Sequence, residues 1–124
     1  MRRVVITGAG TVNPLGHDLP TSFAALRAGR CAIGALDIPD LDRLSVKIGA
    51  QVADWKPEIH FDRAQLGLLD RHVQFALVAA RQAMAQAQCP ADAARTAVIM
   101  RTAGGGLGTQ DDVFRAVYAE GKSR

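Results

Sequence analysis

Residues 3–10 read Arg-Val-Val-Ile-Thr-Gly-Ala-Gly. Val4, Val5 and Ile6 are apolar and β-branched, so the run predicts a strand buried in a largely parallel sheet. Gly8 and Gly10 then let the backbone turn tightly. Asn13-Pro14-Leu15-Gly16 is a second turn signal. A second run, Thr-Ala-Val-Ile-Met at 96–100, has the same character and feeds Gly104-Gly105-Gly106-Leu107-Gly108. Between the two, Val73, Ala76, Leu77, Ala80, Met84 and Ala87 make one apolar stripe at helical spacing. The spacing predicts a helix over 71–88, capped by Asp70 and ended by Pro90, with Gln74, Gln82 and Gln86 largely off the stripe. Strand, helix, strand is the order of an α/β fold.

The remaining segments fit around this unit. Pro20-Thr21-Ser22 opens a short helix, with Thr21 or Ser22 as its cap and Gly29 as its stop. Residues 30–45 lack a period and read as a surface loop. Val46, Ile48, Ala50 and Val52 alternate with Lys47, Gly49 and Gln51, which predicts a half-exposed edge strand. Asp62 to Gln65 forms a capping box for another short helix. Thr109 is placed to cap a last helix, with Asp111 and Asp112 in its first turn and Gly121 as its stop. Two buried strands are too few for a sheet covered on both faces, so the fold needs further strands.

The 124 residues are 48% apolar and 22% charged, a globular composition that argues against disorder. The net charge of +3 is small and the cations are scattered, which argues against nucleic acid as a partner. No apolar run is long enough for a membrane span. The apolar stretch after Arg2-Arg3 ends at Gly8, too short for a signal peptide. Two cysteines do not make a disulfide scaffold, and a cytoplasmic protein is expected.

The residues alone name no chemistry. A dinucleotide fingerprint would need a third glycine where Asn13 stands, with Pro14 after it. The glycine run 104–108 lacks the Lys of a phosphate loop and reads either as a flexible turn or as the wall of a pocket. His17, His60 and His72 are far apart in sequence, and none has metal-ligand spacing with Cys31 or Cys89. Both thiols read as structural or incidental. Asp70-Arg71 reads as a helix cap and its neighbour, with a buried ion pair as the alternative.

The order of several short motifs carries more. Arg3-Val-Val-Ile-Thr-Gly-Ala-Gly10 is followed by Pro14-Leu-Gly16, Phe23-Ala-Ala-Leu26 and Ile33-Gly34. Then come Asp62-Arg63, Leu69-Asp70-Arg71, Gln74-Phe75-Ala76, Ala79-Ala80-Arg81-Gln82-Ala83-Met84, Val98-Ile99 and Gly105-Gly106-Leu107. In this order the chain resembles the N-terminal part of the β-ketoacyl-acyl-carrier-protein synthases, the elongating condensing enzymes of fatty acid and polyketide synthesis. The resemblance runs the length of the chain, so residues 1–124 read as a partial N-terminal ketoacyl synthase domain with no internal boundary.

The resemblance implies a thiolase-like fold, layered αβαβα in the complete protein, and a homodimer. It implies acyl carrier protein as partner and a condensation that uses no cofactor or metal. An acyl chain passes from its carrier to a cysteine, and decarboxylated malonyl carrier protein attacks the thioester with the help of two histidines. Those three residues lie beyond residue 124 in the family, so the resemblance places no catalytic residue in this chain. It does place the wall of the acyl pocket at Gly104, Gly105 and Gly106, and carrier docking at Arg63. Two departures stand out. The family commonly reads Gly-Ser-Gly-Ile-Gly-Gly where this chain has Arg101-Thr-Ala-Gly104-Gly105-Gly106, so Gly104 replaces a gating isoleucine and Arg101 a small residue. Only Arg63 stands where carrier-docking members have several cations. Both departures also suit a non-catalytic chain-length-factor-like partner of a synthase.

Overall fold

The computed structural model describes residues 3–89 and 92–122. Helix α1 (Leu19–Arg27) opens at Asp18, whose carboxylate accepts from the Thr21 N–H at 2.7 Å. The cap is therefore Asp18 and not Thr21 or Ser22. Ser22 is buried inside the helix, where its hydroxyl donates to the Asp18 carbonyl at 2.7 Å. Gly29 follows at φ 66, a left-handed conformation that suits the expected stop.

The segment expected as plain loop contains strand β1 (Ile33–Ala35) and a 3-10 turn, Leu41–Arg43. Strand β1 pairs antiparallel with β2 (Ile48–Ala50), Gly34 facing Gly49. The edge strand expected over 46–52 is thus shorter, and its partner is local. After a 3-10 turn at Pro57–Ile59 comes α2 (Arg63–Leu66), where the capping box is complete. Asp62 accepts from the Gln65 N–H at 2.8 Å, and the Gln65 side chain accepts from the Asp62 N–H at 3.1 Å.

Helix α3 (Arg71–Ala87) begins at Asp70 as the sequence predicts and ends on Gln88, which takes φ 48. Pro90, the expected stop, lies outside the described residues. The buried face of α3 is not the apolar stripe. Gln74 and Val78 are the buried positions, while Leu77 and Met84 stay exposed. The glutamines hold loops that arrive from far along the chain. Gln82 accepts from the Thr11 N–H at 3.0 Å and donates to the His17 carbonyl at 2.7 Å, and Gln86 accepts from the Ala9 N–H at 2.7 Å. Gly8 and Gly10 lie so close that a β-carbon on either would overlap the carbonyl of Ala83 or Ala79. The N-terminal segment therefore runs antiparallel to α3, and its two glycines serve close backbone approach.

Residues 3–7 and 96–100, expected as buried strands, join no ladder among the described residues. Val4 is 95% exposed, Ile6 91% and Ile99 91%. The correction has a plain cause: a strand exists only with a hydrogen-bonded neighbour, and neither segment pairs with one here. The second segment lies along the other side of α3, where Val98 and Met100 face Val73, Ala76, Leu77 and Ala80 across a trough of about 730 Å³. The glycine turn leads into α4 (Leu107–Phe114), which continues as a π-helical turn, Arg115–Ala119. Gly106, at φ 85, holds the N-cap position, so Thr109 stands in the first turn of the helix instead of capping it. Gly121, at φ 64, follows the end. The architecture is a mixture of helix and strand. Among the described residues the buried apolar side chains are Ala25, Phe61 and Val78. No described helix is long and apolar enough to cross a membrane.

Candidate functional site

The glycine turn meets the start of α3, and Asp70 is the junction. A helix start leaves backbone N–H groups without partners, and a short carboxylate beside them accepts one. Asp70 Oδ1 accepts from the His72 N–H at 3.0 Å and lies 2.6 Å from His72 Nδ1. Its Oδ2 accepts from the Thr109 hydroxyl and, at 3.4 Å, from the Thr109 N–H. The Thr109 hydroxyl and the His72 ring and amide hold the Asp70 carboxyl far below the usual carboxylate range. The carboxylate is therefore ionised and needs the proton on His72 Nδ1. Gly106 N sits 3.1 Å from the same nitrogen. A protonated Nδ1 cannot accept from that amide, so Asp70 takes the ring and the Gly106 amide stays close without a true bond.

The other ring nitrogen shapes the turn. A β-carbon on Gly105 would stand 2.5 Å from His72 Nε2 and 2.8 Å from Thr102 Oγ1. A side chain at position 105 would therefore require His72 and Thr102 to move. At Gly104 a β-carbon would meet the Leu107 side chain, with Cδ1 at 2.9 Å and Cγ at 3.6 Å. Gly104, Gly106 and Thr109 share a depression of about 550 Å³ with Asp70, His72 and Phe75. Leu69, Phe75, Leu107 and the glycines give it apolar and small walls, and Asp70, Arg71 and Asp112 stand on its lining as charged groups, of which Asp70 already has its hydrogen-bond partners.

Arg63 stands at the first position of α2, exposed, with no side-chain hydrogen bond or ion pair among the described residues. It is not part of the depression. Arg101 is exposed at the trough beside Thr102. Arg71 does not pair with Asp70: it donates to the Val52 carbonyl at 2.6 Å and lies over the Phe75 ring. Cys31 and Cys89 are exposed and free. Two of the histidines, far apart in sequence, meet on one indole, His60 stacking on Trp55 at 5.0 Å while His17 meets it edge-on at 5.5 Å. Trp55 Nε1 donates to Gln74 at 2.8 Å. No group of three or more possible metal ligands forms among the described residues.

Sequence reading missed His72 and Thr109 as members of the glycine site. One signal was available, since His72 follows an Asp cap by two residues and a ring at that position can turn back onto the carboxylate. The glutamine face of α3 also had a signal: Gln74, Val78, Gln82 and Gln86 recur every four residues.

The sequence matches the family model described as β-ketoacyl synthase, N-terminal domain, over residues 1–123. Nodulation protein E of Rhizobium sp. (strain N33) is 39% identical over 126 residues, covering 99% of this chain and 31% of the relative. Nodulation protein E of Rhizobium meliloti (strain 1021) is 36% identical, covering 99% and 31%. The 3-oxoacyl-[acyl-carrier-protein] synthase 2 of Staphylococcus aureus (strain COL) is 30% identical, covering 99% and 30%. The chain thus spans about a third of the length of the curated relatives it matches. By its motifs and by this match across residues 1–123, the chain belongs to the β-ketoacyl synthase family, in that family's N-terminal domain.

Proposed function

We propose that these residues are the N-terminal segment of a 3-oxoacyl-[acyl-carrier-protein] synthase. The reaction is the decarboxylative condensation of an acyl thioester with malonyl carrier protein, in fatty acid or polyketide synthesis. The observation that carries the reading is the family match over residues 1–123, together with a relative of that name at 30% identity. The chain contributes one wall of the acyl pocket through Gly104, Gly105 and Gly106, and a docking cation for the acidic carrier at Arg63. The nucleophilic cysteine and two histidines of the reaction are supplied by sequence beyond residue 124. A thiolase-like layered fold, a homodimer and a cytoplasmic location go with this reading. Reading the frame downstream of codon 124 tests it. A continuing frame with a cysteine in a strand-to-helix turn and two later histidines is expected; a frame lacking all three overturns the enzymatic reading.

Gly104 favours a second reading, a non-catalytic chain-length-factor-like partner. Gly104 itself carries no gating side chain, and the space beside it is bordered by Leu107. The residue at the nucleophile turn decides between the two: cysteine for the synthase, any other residue for the partner.

A further inference from the structure

We infer that Asp70 is a positioning residue, whose single carboxylate moors the glycine turn 104–106 and α4 to the start of α3. The inference rests on the proposed function only in taking that turn as a wall of the acyl pocket. An ionised carboxylate offers about four acceptor sites, and Asp70 fills them from two elements: two donors come from His72 and two from Thr109. Few other links cross this boundary. Among the described residues, the hydrogen bonds between residues 3–89 and 92–122 are those from Thr109 to Asp70 and one from Arg115 to Asp40, with the Gly106 amide in close approach to His72. The Arg115 pair is half exposed on both sides, where ion pairs contribute little. Asp70 therefore carries most of the directional restraint on the turn. It acts through His72, whose Nε2 closes the space over Gly105, and through Thr109, which fixes the first turn of α4. An amide in place of the carboxylate would turn an NH2 group toward one of these donor pairs, so asparagine keeps one half of the junction and loses the other.

The test uses the natural full-length polypeptide purified from its host, with Asp70→Asn, Thr109→Val and Thr109→Ser. Hydrogen exchange across residues 104–109 is read first, and the ratio of kcat/KM for long against short acyl carriers second. Asp70→Asn and Thr109→Val are expected to speed exchange in this segment by about tenfold or more, the scale of a lost hydrogen bond to a charged group. Exchange around Asp62 and α1 should not change. The acyl preference should broaden in the same two variants, while Thr109→Ser, which keeps the hydroxyl, restores both readouts. Unchanged exchange at 104–109 in Asp70→Asn and Thr109→Val overturns the inference. If Asp70→Asn does not fold, the Thr109→Val and Thr109→Ser pair decides alone. A wild-type protein that condenses no acyl chain overturns the proposed function, and the exchange readout still decides the role of Asp70.

Discussion

Gly105 and Gly108 stand three residues apart, and the same substitution has opposite consequences at each. Gly105→Ala drives a β-carbon into His72 and Thr102, and His72 cannot swing away without breaking its bond to Asp70. A loss of about 1–3 kcal/mol is expected from such overpacking. Gly108 lies inside α4 with nothing within 4 Å of a β-carbon, so Gly108→Ala should stabilise by about 0.5–1 kcal/mol. Thermal midpoints of the full-length protein check both signs. Asp70 adds a pH signature. Its folded pKa lies below the unfolded value of about 3.9, so its stabilisation is complete above that value and is lost as pH falls through the lower folded one. Protection factors at 104–109 should hold level from neutral pH to about pH 4 and fall below it. In Asp70→Asn they should be low and level throughout.

At the scale of elements, α3 is the organiser, and the glycines facing it show how tightly. Gly10→Ala would push the N-terminal segment off Ala79 and Gln82, releasing the Thr11 amide. Gly34→Ala, in β1, meets nothing within 4 Å and should leave the protein unchanged. Lower soluble yield and a depressed melting point for the first variant, against a wild-type result for the second, is the expected pattern. The contrast also marks what was legible in the sequence. The cap at Asp70, the box at Asp62 to Gln65 and the extent of α3 depend on residues within four positions of one another, and all were readable. The working face of α3 was not. Its glutamines bond to backbone groups 65 to 77 residues away, and no local pattern reveals such a partner. Val4 to Ile6 and Val98 to Met100 have strand chemistry, but a ladder depends on a neighbour and not on the segment itself. The site was half legible: the glycine run drew attention by composition, while His72 and Thr109 joined it only through folding.

For the whole molecule, the balance of exposed and buried apolar surface is decisive. Ala25, Phe61 and Val78 are buried, whereas Val4, Ile6, Val98 and Ile99 stand open to water. A fully buried side chain of this kind stabilises by only about 1.5–3 kcal/mol, and the open segments offer unpaired edges. The 124-residue polypeptide made alone should therefore bind ANS, melt without a sharp transition and catalyse no condensation. A cooperative calorimetric peak, or product formed from carrier-bound substrates, would contradict this. The glutamine clasp on α3 also bears on how the protein is made. The amides of Ala9 and Thr11 reach their partners only after Gln86 and Gln82 have been synthesised. At ~5–20 residues per second, the N-terminal segment waits roughly 4–15 s on the ribosome. Through that interval Val4, Val5 and Ile6 are an open invitation to any chaperone that reads extended apolar chain.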